Sequence, residues 1–253
     1  MNLKNTEFVM SLWNPFKFLN KTMIKSFEIS FGFLNKHNIV PHLITDIRGE
    51  KALSHLNWKS IDNSLEKLDL KYNCVWSLGK IISYNIASKK FKNFIHIDGD
   101  VFILKNFEMD IEIKNDIIVY KKESSMYYDF PTIFKYCNYK PNVLDVIPED
   151  MFNMCVFGGN SNIIKDYSDI AIDFIFNKDN VNYFCDASKN DTLTHAMIPE
   201  QGILGCYINK NNIIPHLINP NLNNTSIRHI PVHKINIFDN LSDKDFINKI
   251  ESC

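Results

Sequence analysis

Two aspartates one residue apart stand inside the stretch FIHIDGDVFI, residues 94–103. Asp98 and Asp100 flank a glycine, and apolar residues flank all three. Two carboxylates at that spacing converge on one hard cation only if the chain turns between them, and Gly99 relaxes such a turn. Magnesium and manganese take oxygen donors and leave positions for a substrate phosphate. A cation would also offset the repulsion between the carboxylates. The same residues also describe an Asp-Gly turn between two hairpin strands, squeezed between FIHI and VFIL with almost no other loop residue.

The elements around the pair have to place it. EFVMSLW (7–13) reads as a strand, residues 21–35 as a helix, and IVPHLITD (39–46) as a second strand ending on Asp46. Residues 49–55 are polar and helix-compatible. NCVWSLGKIISYNIASKK carries Trp76, Ile81, Tyr84 and Ala87 at helical spacing and delivers into NFIHID, short and apolar enough for a central parallel strand. DIIVY (116–120) and MFNMCVFGG (151–159) read as further strands, residues 162–176 as an amphipathic helix, and Pro199 as a helix start. NIIPHLI (212–218) reads as a late strand. Strand and helix signals alternate through the first half, which predicts an α/β fold with helices on both faces of a sheet. Ligands of such sheets bind outside the carboxyl ends of the strands, where Asp98 and Asp100 fall.

Composition sets the class. The chain has 253 residues, 45% of them hydrophobic, and 13% aromatic including 19 Phe, enough for a large core and against disorder. Its 28 basic and 29 acidic residues give a formal charge of -1, so no global field attracts a nucleic-acid polymer. The six cysteines, Cys74, Cys137, Cys155, Cys185, Cys206 and Cys253, form no CxxC pair, which argues against structural zinc or a disulfide scaffold and for reduced thiols. The first thirteen residues carry too short an apolar run for a signal peptide, and no segment reaches bilayer-spanning length. The expectation is a cytoplasmic protein; basic pairs such as Lys89-Lys90 leave peripheral contact with the inner face of a membrane open. No repeat or linker divides the chain, so residues 1–253 are expected to form a single unit.

HIDGDVFI resembles the DxD region of GT-A fold glycosyltransferases. VWSLGKIISYNI resembles the helix before that motif in family 8 enzymes, glycogenin-like and lipopolysaccharide galactosyltransferase-like, with Lys80 where arginine is usual. FNMCVFGGN resembles their donor-pocket strand and turn, with Asn153 retained and Cys155 in place of glycine. IPEQGILGCYI resembles their DQD stretch, with Glu200 for the aspartate and Gln201 retained. RHIPVHK resembles their C-terminal histidine segment. The layout is also similar to that of uncharacterised bacterial proteins. The matches run in order from residue 7 to 237, each short and degenerate.

The resemblance implies a GT-A (nucleotide-diphospho-sugar transferase) fold, a single mixed, mostly parallel sheet flanked by helices. Its nucleotide-binding half would be about 1–105 and its donor-sugar and acceptor half about 106–240. It implies a metal-dependent transferase moving a sugar from a nucleotide diphosphate sugar, a UDP-sugar first, with Mn2+ or Mg2+. Asp100 would ligate the metal and Asp98 would meet the ribose or a water beside it. The further ligand is His233, favoured beside Lys234, or its rival His229. Lys80 and Lys234 would meet phosphate as point charges. Trp13 either covers the base or packs in the core, and Asp46 either lies at the base edge or caps a helix. Asn153 would bind donor hydroxyls or merely end a strand. Gln201 would lie beneath the reacting carbon of a retaining enzyme, with Glu200 orienting the donor or acceptor. In an inverting enzyme Glu200 would be the base, with Glu149 and Asp150 as rivals. The aromatic stretch 124–148 is an acceptor platform or a satellite core, and the acceptor is a glycan, a lipid-linked molecule or a small molecule. Two alternatives stand: a nucleotide-sugar-binding protein without turnover, and a nucleotidyltransferase, for which LWNPFKFLN lacks the expected glycine-rich phosphate loop.

Overall fold

The computed structural model describes residues 6–15, 19–72, 74–104, 117–186, 192–218, 227–230 and 242–252. The strands are β1 (Glu7–Leu12), β2 (His42–Thr45), β3 (Ile61–Asp62), β4 (Asn93–Ile97), β5 (Val101–Ile103), β6 (Ile117–Ser124), β7 (Asp150–Asn160), β8 (His216–Leu217) and β9 (Ile227–His229). The helices are α1 (Lys21–Lys36), α2 (Ile47–Leu53), α3 (Leu78–Lys90), α4 (Phe130–Tyr136), α5 (Ser161–Phe176), α6 (Val181–Phe184), α7 (Thr192–Met197), α8 (Ile203–Lys210) and α9 (Asp243–Ser252).

Seven strands form one sheet in the order β3-β2-β1-β4-β7-β6-β8. From β3 to β4 all pairings are parallel; β7 runs antiparallel to both β4 and β6. The sheet is therefore mixed and flanked by helices, as expected. The expectation of a single sheet needs correction, because β5 leaves it to form a separate two-stranded ribbon with β9.

The helices follow from their apolar spacing. In α1, Phe27, Phe31 and Leu34 recur every three to four residues and are buried. Asn20 caps its first turn through Thr22 N at 2.8 Å, and Asn38, with φ 58, ends it in the left-handed conformation. In α5, Ile164, Tyr167, Ala171 and Phe174 do the same on the opposite face of the sheet. One core cluster joins α3, α5 and α8 to one face, and a second joins α1 and α2 to the other. Phe246 and Ile250 of α9 pack with Phe33 and Phe102.

Two features of this scaffold position polar groups. The connection from β1 leads to β2 on one side, while β4 lies on the other, so the strand order reverses between β1 and β4. Such a switch point opens a crevice at the carboxyl ends, here between Trp13 and Asp98. Second, β6 and β7 continue past the end of β4. Ile97 pairs with Val156, whereas Lys121 to Ser124 pair with Asn153 to Asp150 beyond it. A register irregularity between Val119 and Lys121 accompanies this overhang. Among the described residues no helix is long and apolar enough to cross a membrane.

Candidate functional site

The Asp98–Asp100 segment is not a hairpin turn, because the strands on its two sides do not pair: β4 lies between β1 and β7, and β5 pairs with β9. Asp98 N donates to Cys155 O at 2.9 Å and Val101 N to Asp98 O at 3.1 Å. From α1, Ser26 Oγ donates to Gly99 O and Ser30 Oγ to Val101 O, both at 2.6 Å. Phe27 seals the turn so closely that a Cβ on residue 99 would lie 2.1 Å from its ring. The turn is thus pressed on α1 by close approach, which only glycine allows.

Asp98 faces a buried ion-pair system. Lys80 Nζ lies 2.7 Å from Asp98 Oδ2 and 2.8 Å from Glu200 Oε1. Tyr84 Oη donates to Glu200 Oε1 at 3.4 Å, and Tyr167 Oη to the Glu200 carbonyl at 2.8 Å. Glu200 is fully buried and its Oε2 has no partner. Burial, with the charges of Asp100 and Glu200, pushes the Asp98 carboxyl up to about 7 against the pull of Lys80. His96, buried behind Asp98, accepts or donates through Nε2 to Ser11 Oγ at 2.8 Å. Burial and Lys80 hold its pKa well below the ordinary value, so its Nδ1, 3.5 Å from Asp98 Oδ1, belongs to a neutral ring.

Asp100 meets a histidine from the far end of the chain. The β5–β9 register pairs Val101 with His229 and brings His229 Nε2 to 3.6 Å from Asp100 Oδ1. Burial lowers the imidazole, but Cys155 and Asp100 beside it hold its pKa well above the ordinary value. One carboxylate oxygen and one imidazole nitrogen at that separation can share an ion with bonds of about 2.1 Å. Without a cation the contact is a carboxylate–imidazolium pair; with the imidazole neutral, the two atoms could serve as two donors to a divalent cation, with Asp98 next to them in the turn. Among the described residues no group of three or more His, Cys, Asp or Glu side chains converges on such an ion. His233 and Lys234 lie outside the described residues; of the two histidines weighed, His229 is the one seen against Asp100.

A cleft of about 140 Å³ opens beside this centre, lined by Ser11, Trp13, Trp76, Lys80, Asp98 and Asp100 among others. Trp13 also borders a second cleft of about 370 Å³ with Asp46, Arg48, Glu66 and Leu70. Trp13 is 9% exposed and Trp76 44%, so Trp13 is largely core and Trp76 offers an open aromatic face. Asp46 caps α2 by accepting from Gly49 N at 2.8 Å and pairs with Arg48. Lys80 has its ammonium committed to two carboxylates rather than to open space.

The overhang carries a second polar cluster, outside the lining of the cleft beside Asp98. Asn153 Oδ1 accepts from Cys155 N at 3.1 Å, and its Nδ2 donates to Glu123 Oε1 at 3.1 Å. Tyr128 Oη lies 3.2 Å from Glu123 Oε2 and 2.6 Å from Gln201 Oε1. Glu200 and Gln201 sit in a π-helical turn, Ile198–Gly202, between α7 and α8. Pro199 lacks the N–H that a regular helix needs there, and such wide turns recur at functional sites. Glu149 and Asp150 stand at the far tip of the overhang, where Asp150 pairs with Lys122 at 2.6 Å. Glu123 goes unmarked in the sequence, and Tyr128 is marked there only as one aromatic of the 124–148 stretch. A signal existed only in Tyr128's place within the aromatic stretch and in Glu123's two-residue step from Lys121 along a strand.

A family model described as a family of unknown function (DUF6734) matches residues 11–249. No curated protein matches. Among solved structures, PaToxG Glycosyltransferase is similar at a TM-score of 0.46 and 15% identity, with 81% of this chain and 69% of that chain covered.

Proposed function

The chain belongs to the family of unknown function DUF6734, and we propose that it is a metal-dependent glycosyltransferase of GT-A type acting on a nucleotide diphosphate sugar, a UDP-sugar first. The observation that carries this reading is the Asp98-Gly99-Asp100 turn at the switch point. It leaves the sheet at the carboxyl end of central β4, faces a cleft, and sets Asp100 3.6 Å from His229. A divalent ion held by Asp100 and His229, Mn2+ or Mg2+, would supply positive charge where the diphosphate leaves.

The chain's own residues do the rest. Trp76 and the edge of Trp13 offer aromatic surface to a base, with Arg48 and Asp46 at the adjoining cleft. Lys80 holds Asp98 and Glu200 in place, so its part is to fix the Asp98 carboxylate rather than to bind phosphate directly. Asn153 and Gln201 present amides toward the sugar side of the turn. Glu200, fully buried and paired, is not placed to take a proton from an acceptor, which favours the retaining reading over one with Glu200 as base. The acceptor is a glycan, a lipid-linked molecule or a small molecule reached from the overhang.

The test is binding and slow donor hydrolysis across a panel of UDP- and GDP-sugars, with and without Mn2+. Metal-dependent binding of one donor, weakened at least tenfold by Asp100→Asn and by His229→Ala, is expected. Binding of none of them by well-folded protein would overturn the reading. Binding without hydrolysis would instead establish a nucleotide-sugar-binding protein, a second reading favoured by the closed Lys80–Glu200 pair.

A further inference from the structure

Ser11 on β1 and His96 on β4 are polar residues on the two strands that flank the switch point. The register pairs Val9 with His96. Two residues further along each strand stand Ser11 and Asp98, both on the wall of the 140 Å³ cleft. His96 is fully buried, its ring T-shaped against Tyr84 with centroids 5.1 Å apart. Its Nε2 lies 2.8 Å from Ser11 Oγ. Its Nδ1 has no hydrogen-bond partner among the described residues, and Asp98 Oδ1 faces it at 3.5 Å.

A neutral imidazole carries one N–H, and a serine hydroxyl donates or accepts equally well. The choice of tautomer therefore falls to Asp98, whose carboxylate attracts a proton on Nδ1 and repels a lone pair there. Lys80 does not reverse this, because its ammonium sits 2.7 Å from the other oxygen, Oδ2. With the proton on Nδ1, Nε2 accepts, and Ser11 gives it its only hydroxyl proton. Ser11 Oγ makes no other hydrogen bond among the described residues, so it turns lone pairs to the cleft. Two more serines on that wall also donate inward, Ser26 to Gly99 O at 2.6 Å and Ser77 to Ala196 O at 2.7 Å. Lys80, on the same wall, points its ammonium at Asp98 and Glu200. Hydroxyl oxygens and carboxylates together suit a ligand group that brings its own protons. Phosphate oxygens bring none, whereas two neighbouring sugar hydroxyls bring two.

We propose that Ser11, locked by His96, is a specificity-determining residue that, with Asp98, accepts hydrogen bonds from a vicinal diol. His96 acts through Ser11 and is a positioning residue. The glycosyl-transfer reading, on which this rests, offers two such diols, that of the ribose and that of the transferred sugar.

Two measurements test this. The tautomer is read without ligand, from the imidazole nitrogen NMR shifts of the full chain at about pH 8, where histidine is neutral. The His96 ring is identified by the Nε2 shift that Ser11→Ala causes. A protonated Nδ1 and a bare Nε2 are expected; a protonated Nε2 would overturn the proposal. The ligand is read from Mn2+-dependent binding to wild type and Ser11→Ala. UDP is compared with 2′-deoxy-UDP and 3′-deoxy-UDP, then the UDP-sugar that the panel identifies with its monodeoxy-sugar forms. Loss of the hydroxyl that Ser11 holds should weaken wild-type binding about fivefold or more, and binding to Ser11→Ala far less. A gap in the first comparison assigns the ribose, and one in the second the transferred sugar. Binding with no such gap, or with an equal gap in folded Ser11→Ala, would overturn the proposal and leave the glycosyl-transfer reading standing. Binding of no uridine ligand would sink that reading and the diol with it.

Discussion

Lys80 holds Asp98 and Glu200 with one ammonium, at 2.7 and 2.8 Å. Removing one partner of a buried ion pair leaves a charge with neither water nor counter-ion and costs about 3–5 kcal/mol. Lys80→Met is therefore expected to destabilise the chain by that order in urea unfolding, and the double variant Lys80→Met/Glu200→Gln to recover part of the loss. A Lys80→Met protein as stable as wild type would show the pair to be incidental. The two aspartates stand out in the sequence because they interrupt an apolar run, but the local pattern fits a metal site and a hairpin turn alike; the structure excludes the hairpin, since β4 and β5 do not pair. His229 was legible only as a rival. The lysine beside His233 drew the preference, while the pairing of His229 with Val101 depends on a three-residue ribbon that leaves no periodic trace. Glu123 was invisible, since an acid on a strand end is ordinary until its neighbours are known.

The elements were legible where their burial repeats. Helices α1 and α5 lie within a residue or two of their expected limits because one face of each is buried at the helical period, and β1 does so as a short apolar run buried toward both core clusters. The sequence around Pro199 reads as a helix start, since proline in a first turn and proline in a wide turn look alike; the structure runs helix through it. Glycines mark where elements touch. A Cβ at Gly158 would lie 2.2 Å from Phe94 O and 2.7 Å from Ile95 Cα, both backbone atoms of β4 that cannot move aside. Gly158→Ala is expected to cost at least the ~1–3 kcal/mol of an overpacked core, read as a lowered thermal midpoint. Gly99→Ala should push the turn off Phe27, and so weaken Mn2+-dependent donor binding more than it lowers the midpoint. Equal losses in both would argue against a role of α1 in setting the turn.

At the scale of the whole molecule, acid should loosen the β3-β2-β1 side of the sheet as well as its centre. His42 on β2 packs against Phe91 with the rings tilted and their centroids 4.6 Å apart, and bonds Ser60 Oγ at 2.7 Å and Glu7 Oε2 at 3.1 Å. Burial holds its pKa below 6.5 despite the pull of Glu7. Below about pH 6.5 the unfolded chain binds a proton that the folded chain refuses. Stability then falls with pH, by up to about 1.4 kcal/mol per unit, until folded His42 also titrates. Glu7 adds to the loss at lower pH: burial raises it, but Lys59 and His42 hold it below 4.5, so its contribution is present above that value and lost as pH falls through its folded pKa. His42→Gln should flatten the dependence between pH 6.5 and 5; an unchanged slope in urea midpoints would exclude His42 as its source.

The β5–β9 ribbon carries one more consequence, for the order of folding. Lys80 reaches Asp98 across 18 positions, a short loop that closes while much of the chain is still unstructured. His229 reaches Asp100 only after roughly 130 residues have returned to the same place, a contact of high order that forms slowly. The two aspartates are therefore expected to mature at different times, Asp98 with the first half of the sheet and Asp100 with the tail. A competitor for β9 is expected to act on Asp100 while leaving the seven-stranded sheet in place, since β9 pairs with β5 outside it.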